Sequence, residues 1–198
     1  MRFLSVFIAT LCAATAAQAH TGVGGASGLA YGFLHPLGGL DHILAMVGVG
    51  AFAFFLGGRA LWLVPLSFVV MMAAGGVLGF AGFGLPLFGE AGVELGIALS
   101  VVVIGGALAL GVSMPLAAAM AGGFAVFHGV AHGAEMPGTV SGLGYGLGFV
   151  AATAMLHGLG LALGFGLNEV AQETARRFAR VGGALLSLSG LAILTGAF

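Results

Sequence analysis

Charged residues are scarce in this 198-residue chain. Asp, Glu, Lys and Arg make up only 6% of it, whereas soluble domains carry about a quarter. So few charges cannot cover the surface of a water-soluble globule, and the 60% hydrophobic content predicts a membrane protein. The formal net charge of -1 provides no basic surface, so nucleic acid is excluded as a partner.

Cysteine is nearly absent as well, since Cys12 is the only one in the chain. No disulfide can form within the chain, and no cluster of thiolate ligands is available. A metal site in this protein would therefore use nitrogen and oxygen ligands, with a methionine thioether as a further donor.

The first nineteen residues have the pattern of a secretory signal peptide. Arg2 opens a positive region, the apolar run 3–17 follows, and a small-x-small site occupies 17–19. This pattern predicts cleavage before His20. The alternative is an uncleaved first transmembrane helix, although the run is short for a span of about 20 residues.

Six apolar segments follow, each near the length that crosses a bilayer as a helix. They cover 28–55, 61–82, 93–111, 116–134, 140–166 and 181–198. Many of the 39 glycines lie inside them, which predicts closely packed helices. The predicted fold is an all-α, polytopic membrane bundle of six transmembrane helices in residues 20–198, after a signal peptide at 1–19.

The arginines predict the orientation of these segments. A cleaved leader places the mature N-terminus outside the cytoplasm, so the loops after the first, third and fifth segments are cytoplasmic. Arg59 follows the first segment, and Arg176, Arg177 and Arg180 follow the fifth, as the positive-inside rule requires. We therefore expect a bacterial inner-membrane protein with both mature termini in the periplasm. The polar stretch 168–180 predicts a short interfacial helix or a solvated loop.

Ionisable side chains occur inside or at the ends of these segments, where each costs about 2.5–3.5 kcal/mol to insert at the centre of a span. They are His35, Asp41 and His42 in the first segment, Glu94 in the third, His128, His132 and Glu135 in or just after the fourth, and His157 in the fifth. Residues four and seven positions apart share one helix face, so His128, His132 and Glu135 point the same way. This costly cluster predicts a binding site.

The first segment carries a similar alignment. His35 and His42 are seven residues apart, and Met46 follows one helical turn later. Asp41 lies about 100° from that face on an ideal helix. Pro36 and the glycines after it disfavour an ideal helix here, and a broken helix would turn Asp41 inward and expose backbone groups to an ion.

Imidazole and carboxylate groups suit zinc, copper, nickel and iron(II), whereas calcium and magnesium prefer oxygen ligands. The pattern therefore predicts a site for a borderline divalent ion. His157 lies deeper and could pass an ion onward, but it is equally typical of a packing histidine. Glu94 alone would suit a helix start near the interface. His20, with a free α-amine after cleavage, could chelate nickel or copper, or could lie in a terminus without a role.

Two long motifs then carry a family resemblance. Residues 35–42, HPLGGLDH, are similar to the H-x5-D-H signature of the HupE/UreJ family of hydrogenase and urease accessory permeases. Residues 127–135, FHGVAHGAE, resemble its second signature, F-H-G-x-x-H-G-x-E, and residues 94–100 resemble its third span. The likeness covers essentially the whole mature chain.

The resemblance implies uptake of nickel, or sometimes cobalt, by a secondary permease that supplies hydrogenase or urease maturation. It implies a transported ion rather than a permanently bound cofactor, and no enzymatic activity. By position, it assigns metal-related roles to His35, Asp41, His42, Glu94, His128, His132 and Glu135.

Two other functions use the same side chains. An intramembrane metal-dependent hydrolase would use Glu135 or Asp41 as the general base and a zinc-bound water as the nucleophile. A bis-histidine haem protein would use His42 and His132 as axial ligands from two helices.

Overall fold

Eight α-helices and one short 3-10 turn form the described part of the computed structural model, residues 25–166 and 172–197. The elements are α1 (Gly25–Leu34), the 3-10 turn (His35–Leu37), α2 (Leu40–Leu56), α3 (Ala60–Phe80), α4 (Gly84–Phe88), α5 (Glu90–Leu110), α6 (Met114–Ala134), α7 (Gly142–Phe165) and α8 (Gln172–Leu194). Five helices, α3 and α5 to α8, are long and apolar enough to cross a membrane, and α1 with α2 adds a sixth, bent crossing. The predicted all-helical, multi-pass architecture is confirmed. The predicted signal peptide and His20 lie outside the described residues.

The first crossing is broken at the predicted place. The 3-10 turn His35–Leu37 replaces the α-helix here because the ring of Pro36 cannot continue the helix hydrogen bonds of α1. Gly39 is extended, with φ -106° and ψ 124°, and a new helix starts directly after it. The two halves meet at a bend of 83°.

Both halves of the bent pair pack along α7 in the same direction. In α1, Gly28 lies against the backbone of Ser141, just before α7 begins. In α2, Gly50 contacts the backbone of His157, more than halfway along α7. Because the chain advances along its neighbour instead of turning back, the pair is one broken crossing and not a re-entrant loop.

The most extensive contact between two helices joins α3 and α6, which run parallel. Gly122 lies beside Ser67 near the start of both helices, and Gly133 contacts the backbone of Phe80 near their ends. Glycine at these positions allows the two backbones to touch. The α5–α8 pair is antiparallel and packs in the same way, through Gly183. These directions fit six alternating crossings, in which the first crossing starts and the last crossing ends on the same side.

The charged residues divide between the two ends of this bundle. Arg59 precedes α3, and the other three arginines of the described chain lie in the first turns of α8, at the same end. We call this the arginine end. Glu90 at the start of α5 and Glu135 at the end of α6 lie at the opposite end, the carboxylate end.

The polar stretch before the last crossing differs from the prediction. From Gln172 onward it is continuous with the membrane helix α8, rather than a separate interfacial helix or a loop. Arg177 Nε donates to Glu173 Oε1 at 3.2 Å, one helical turn away. Hydropathy marks only the apolar part of a helix, and therefore the predicted start at 181 was too late.

Candidate metal-binding site

Four imidazole rings meet between the broken crossing and α6. His42 lies 4.7 Å from His128 and 4.8 Å from His132, measured between ring centroids. His35 lies 4.9 Å from His132. We call these four residues the histidine cluster. His128 and His132 are fully buried, so the cluster reaches from the carboxylate end into the core.

The local structure explains how the cluster assembles. His128 and His132 are one turn apart on α6 and share its inner face. Glu135 is the residue that ends this helix, and its Oε2 lies 2.8 Å from Nε2 of His35 in the 3-10 turn. The break in the first crossing sets His35 at the mouth and His42 deeper, so the two motifs interlock instead of lying on one straight helix face.

Asp41 fixes the orientation of His42. Its Oδ1 accepts hydrogen bonds from the backbone N–H of His42 at 2.8 Å and from the ring Nδ1 at 2.9 Å. Because a carboxylate only accepts, Nδ1 of His42 carries the hydrogen, and Nε2 keeps its lone pair. Metal-ligating histidines commonly use their second nitrogen to contact a carboxylate in this way. The same reasoning places the hydrogen of His35 on Nε2, facing Glu135.

Ser100 fixes the orientation of His128. Its hydroxyl donates to the carbonyl of Ile97 at 2.6 Å, which uses the only hydrogen that the hydroxyl has. The contact of 2.9 Å between Ser100 Oγ and Nε2 of His128 must therefore be donated by the imidazole. Nδ1 of His128 then keeps its lone pair within the cluster.

Four ring nitrogens of the cluster are both buried and unpaired. Nε2 of His42, Nδ1 of His128 and both ring nitrogens of His132 have no hydrogen-bond partner among the described residues. Each buried polar group left unpaired costs about 1–3 kcal/mol. A borderline divalent ion would use these lone pairs.

The rings are not yet arranged as a coordination sphere. No three His, Cys, Asp or Glu side chains of residues 25–166 and 172–197 hold their donor atoms in position for one ion. Imidazole nitrogens bind zinc-like ions at about 2.0–2.1 Å, which edge-to-face packing of the rings does not provide. Binding therefore requires a small rearrangement of the rings relative to one another.

A cavity of about 280 Å³ adjoins the cluster at the carboxylate end. Glu90, Glu94 and Glu135 line it together with apolar residues of α5 and α6. We call it the acidic cavity. Glu90 was not among the predicted site residues, although its spacing of four from Glu94 puts both on one face of α5.

The remaining predicted residues lie elsewhere. His157 is buried outside the cluster, with its ring 5.1 Å from that of Phe68. Met46 is fully buried in the core, one turn after His42, and its role stays a prediction. The proposed chelating role of His20 falls outside the described residues.

Sequence reasoning also missed four neighbours of the histidines. They are Phe68, Ser100, Tyr145 and Phe149. Phe149 stacks on His132 at 5.3 Å, and Tyr145 lies 6.0 Å from His35. Ser100 lies within the stretch 94–100 that resembles the family's third span, which was a usable signal. The other three are aromatic residues in apolar helices, where composition gives no signal.

Known proteins are similar to this chain over almost its whole length. The family model described as "HupE / UreJ protein" matches residues 8–193. Protein HupE of Rhizobium leguminosarum bv. viciae is 43% identical over 198 residues, covering 98% of this chain and 97% of that protein. No solved structure gives a significant match.

Proposed function

This chain belongs to the HupE/UreJ family, and from that premise we propose that it transports nickel, or cobalt, into the cytoplasm for hydrogenase or urease maturation. The observation that carries the proposal is the histidine cluster, which has buried, unpaired nitrogens and is connected to an acidic cavity by the contact between His35 and Glu135. The ion is a transported substrate, and the site is built for transient binding.

Capture begins at the acidic cavity. The carboxylates of Glu90, Glu94 and Glu135 attract a divalent cation and raise its local concentration. Glu135 also touches His35, the first imidazole at the mouth. The hydrated ion thus meets a charge-neutralising entrance before any nitrogen ligand.

Transfer into the bundle then follows the imidazoles. His132 is in ring contact with both His35 and His42, so an ion can exchange one nitrogen ligand for the next over short distances. Each new ligand replaces part of the lost hydration shell. Asp41 stabilises the positive charge through His42.

The direction of transport follows from the two ends of the bundle. Under the positive-inside rule we expect the arginine end to face the cytoplasm and the acidic cavity to face the periplasm. An importer that captures its ion from the periplasm needs its attracting carboxylates on that side.

The contact between His42 and His132 argues against the haem alternative. Their ring centroids are 4.8 Å apart, which leaves no space for a macrocycle between two axial ligands. The hydrolase alternative has no observation in its favour, since both candidate bases already accept hydrogen bonds from histidines.

Nickel uptake tests the proposal directly. Cells without their own nickel importers should accumulate radioactive nickel when they express this chain, and cobalt should compete better than zinc. Metal analysis of the cells, with an empty vector as control, measures both the accumulation of nickel and the competition by cobalt and zinc. Nickel and cobalt contents equal to those of the vector control would contradict the transport function.

Replacing Ser100 by alanine should weaken nickel binding without loss of the protein. The variant removes the hydroxyl oxygen that accepts the hydrogen bond from Nε2 of His128. The imidazole can then carry its hydrogen on Nδ1, which leaves no lone pair on that nitrogen for the ion. Loss of such a partner typically costs about 10–100-fold in metal affinity. The half-saturating nickel concentration for uptake should rise accordingly.

Ser187→Ala is the matched control for Ser100→Ala. Ser187 also forms a hydrogen bond across a helix interface, by donating its hydroxyl to the carbonyl of Val102 at 2.9 Å, but it has no hydrogen bond to a described histidine. Its half-saturating concentration should stay at the wild-type value. Equal shifts in the two variants would mean that Ser100 contributes only to packing.

A further inference from the structure

One phenyl ring continues the row of imidazoles toward a fifth histidine. The row of rings is His35, His132, His42, His128, Phe68 and His157. Phe68 is fully buried, and its ring lies 5.4 Å from His128 and 5.1 Å from His157. It is the one member of the row that has no nitrogen. An ion that follows the row must pass this ring to reach His157.

The order of the row matches depth in the bundle. Gly122 of α6, six residues before His128, packs beside Ser67 and Met71 on either side of Phe68, so Phe68 lies nearer the arginine end than His128 does. His157 contacts the backbone of Gly50, two helical turns after His42. The row therefore leads from the acidic cavity toward the opposite end of the bundle.

His157 has an unusual environment for a packing residue. It is 2% exposed, and neither ring nitrogen has a hydrogen-bond partner among the described residues. A neutral imidazole carries one N–H donor and one lone pair, and both are left unsatisfied here. A histidine that serves packing alone would be expected to pair at least one of them.

Two further donors lie beside His157. Thr153 is one turn earlier on α7, and its hydroxyl donates to the sulfur of Met72 at 3.5 Å. Met72 is one turn after Phe68 on α3, and both Met72 and Thr153 are fully buried. Imidazole nitrogen, hydroxyl oxygen and thioether sulfur thus lie within two neighbouring turns of the α3–α7 interface, with Thr153 and Met72 one turn nearer the carboxylate end than His157 and Phe68.

We propose that His157 forms an inner ion site, that the Phe68 ring is the barrier between it and the histidine cluster, and that Thr153 and Met72 line the way to it. The inference rests on the proposed transport function and adds a second binding step to it. The ion leaves Nδ1 of His128 when the phenyl ring swings aside, and it then binds a nitrogen of His157. The hydroxyl of Thr153 and the thioether of Met72, one turn nearer the cluster, replace hydration water on the way, and the ion leaves His157 toward the arginine end.

Replacing His157 by phenylalanine separates capture from passage. The variant keeps a flat ring at this position and removes the nitrogens. Nickel binding to the purified protein, measured by equilibrium dialysis with radioactive nickel, should stay at the wild-type affinity for the outer cluster. Uptake into proteoliposomes should fall to about a tenth of the wild-type rate or less. If this variant does not accumulate, His157→Leu is measured in the same way.

Phe68→Leu tests the barrier independently. The smaller, flexible side chain should raise the initial rate of nickel uptake by about a factor of two or more. Phe52→Leu is the matched control, because Phe52 is equally buried in the core and has no ring contact with a described histidine. That control should transport at the wild-type rate, so that a general effect of core loosening is excluded.

The outcomes distinguish this inference from the function on which it rests. If the wild-type protein takes up no nickel, the transport function itself is wrong. If the wild type transports and His157→Phe does so equally well, only the inner site is wrong. Joint loss of binding and uptake in His157→Phe would also overturn it, because His157 would then serve capture or folding. An unchanged or lower rate in Phe68→Leu overturns the barrier.

Discussion

Replacing His132 by phenylalanine is expected to abolish nickel uptake while the protein remains fully stable. His132 is the only residue of the histidine cluster in ring contact with both the mouth, at His35, and the interior, at His42. A phenyl ring preserves the stack on Phe149 but offers the ion no lone pair. The route from the acidic cavity is then interrupted at its second ligand. Uptake of radioactive nickel in cells should fall to the level of the empty vector.

The stability of the same variant shows whether His132 is a metal ligand or a structural residue. Both nitrogens of His132 are buried without partners among the described residues, so removing them relieves a cost of about 1–3 kcal/mol. His132→Phe should therefore unfold in detergent at the wild-type temperature or above it, with unchanged membrane abundance. Wild-type uptake would contradict the ligand role, and a lower unfolding temperature would indicate that the imidazole serves packing.

Composition and spacing predicted the larger features of this molecule for simple physical reasons. A chain with 6% charged residues has no alternative to a bilayer, and helices are the structures that satisfy the backbone there. The break at Pro36 follows from the proline ring and the glycines after it. The shared face of His128 and His132 follows from helical spacing alone.

The contacts between helices could not be predicted in the same way. Nothing local in the sequence indicates that the first crossing packs along α7, or that Glu135 meets His35 at 2.8 Å. In a bilayer, lipid tails are as apolar as leucine, so partners are chosen by close fit along whole helices. The contacts of Phe68 with two histidines depend on that fit, and the pattern of apolar residues does not predict them.

Replacing Gly129 by alanine should remove most of the protein from the membrane. A Cβ at this position would overlap the carbonyl oxygen of Met72 and lie 2.7 Å from the backbone nitrogen of Gly76. Both obstacles are backbone atoms of α3, so no side-chain movement can relieve them. The helices must separate, and overpacking of this kind costs about 1–3 kcal/mol. Losses of about 1–2 kcal/mol already lower cellular abundance several-fold, which an immunoblot of membranes measures.

Gly123→Ala is the matched control for Gly129→Ala on the same helix. A Cβ at Gly123 meets nothing within 4 Å, so this variant gains the higher helix propensity of alanine without a clash. Its abundance and nickel uptake should equal or exceed those of the wild type. In Gly129→Ala, by contrast, His128 and His132 flank the displaced position, and uptake per surviving molecule should fall as well. Equal behaviour of the two variants would mean that the α3–α6 contact does not position the histidines, and the close approach of these backbones would then be unnecessary for transport.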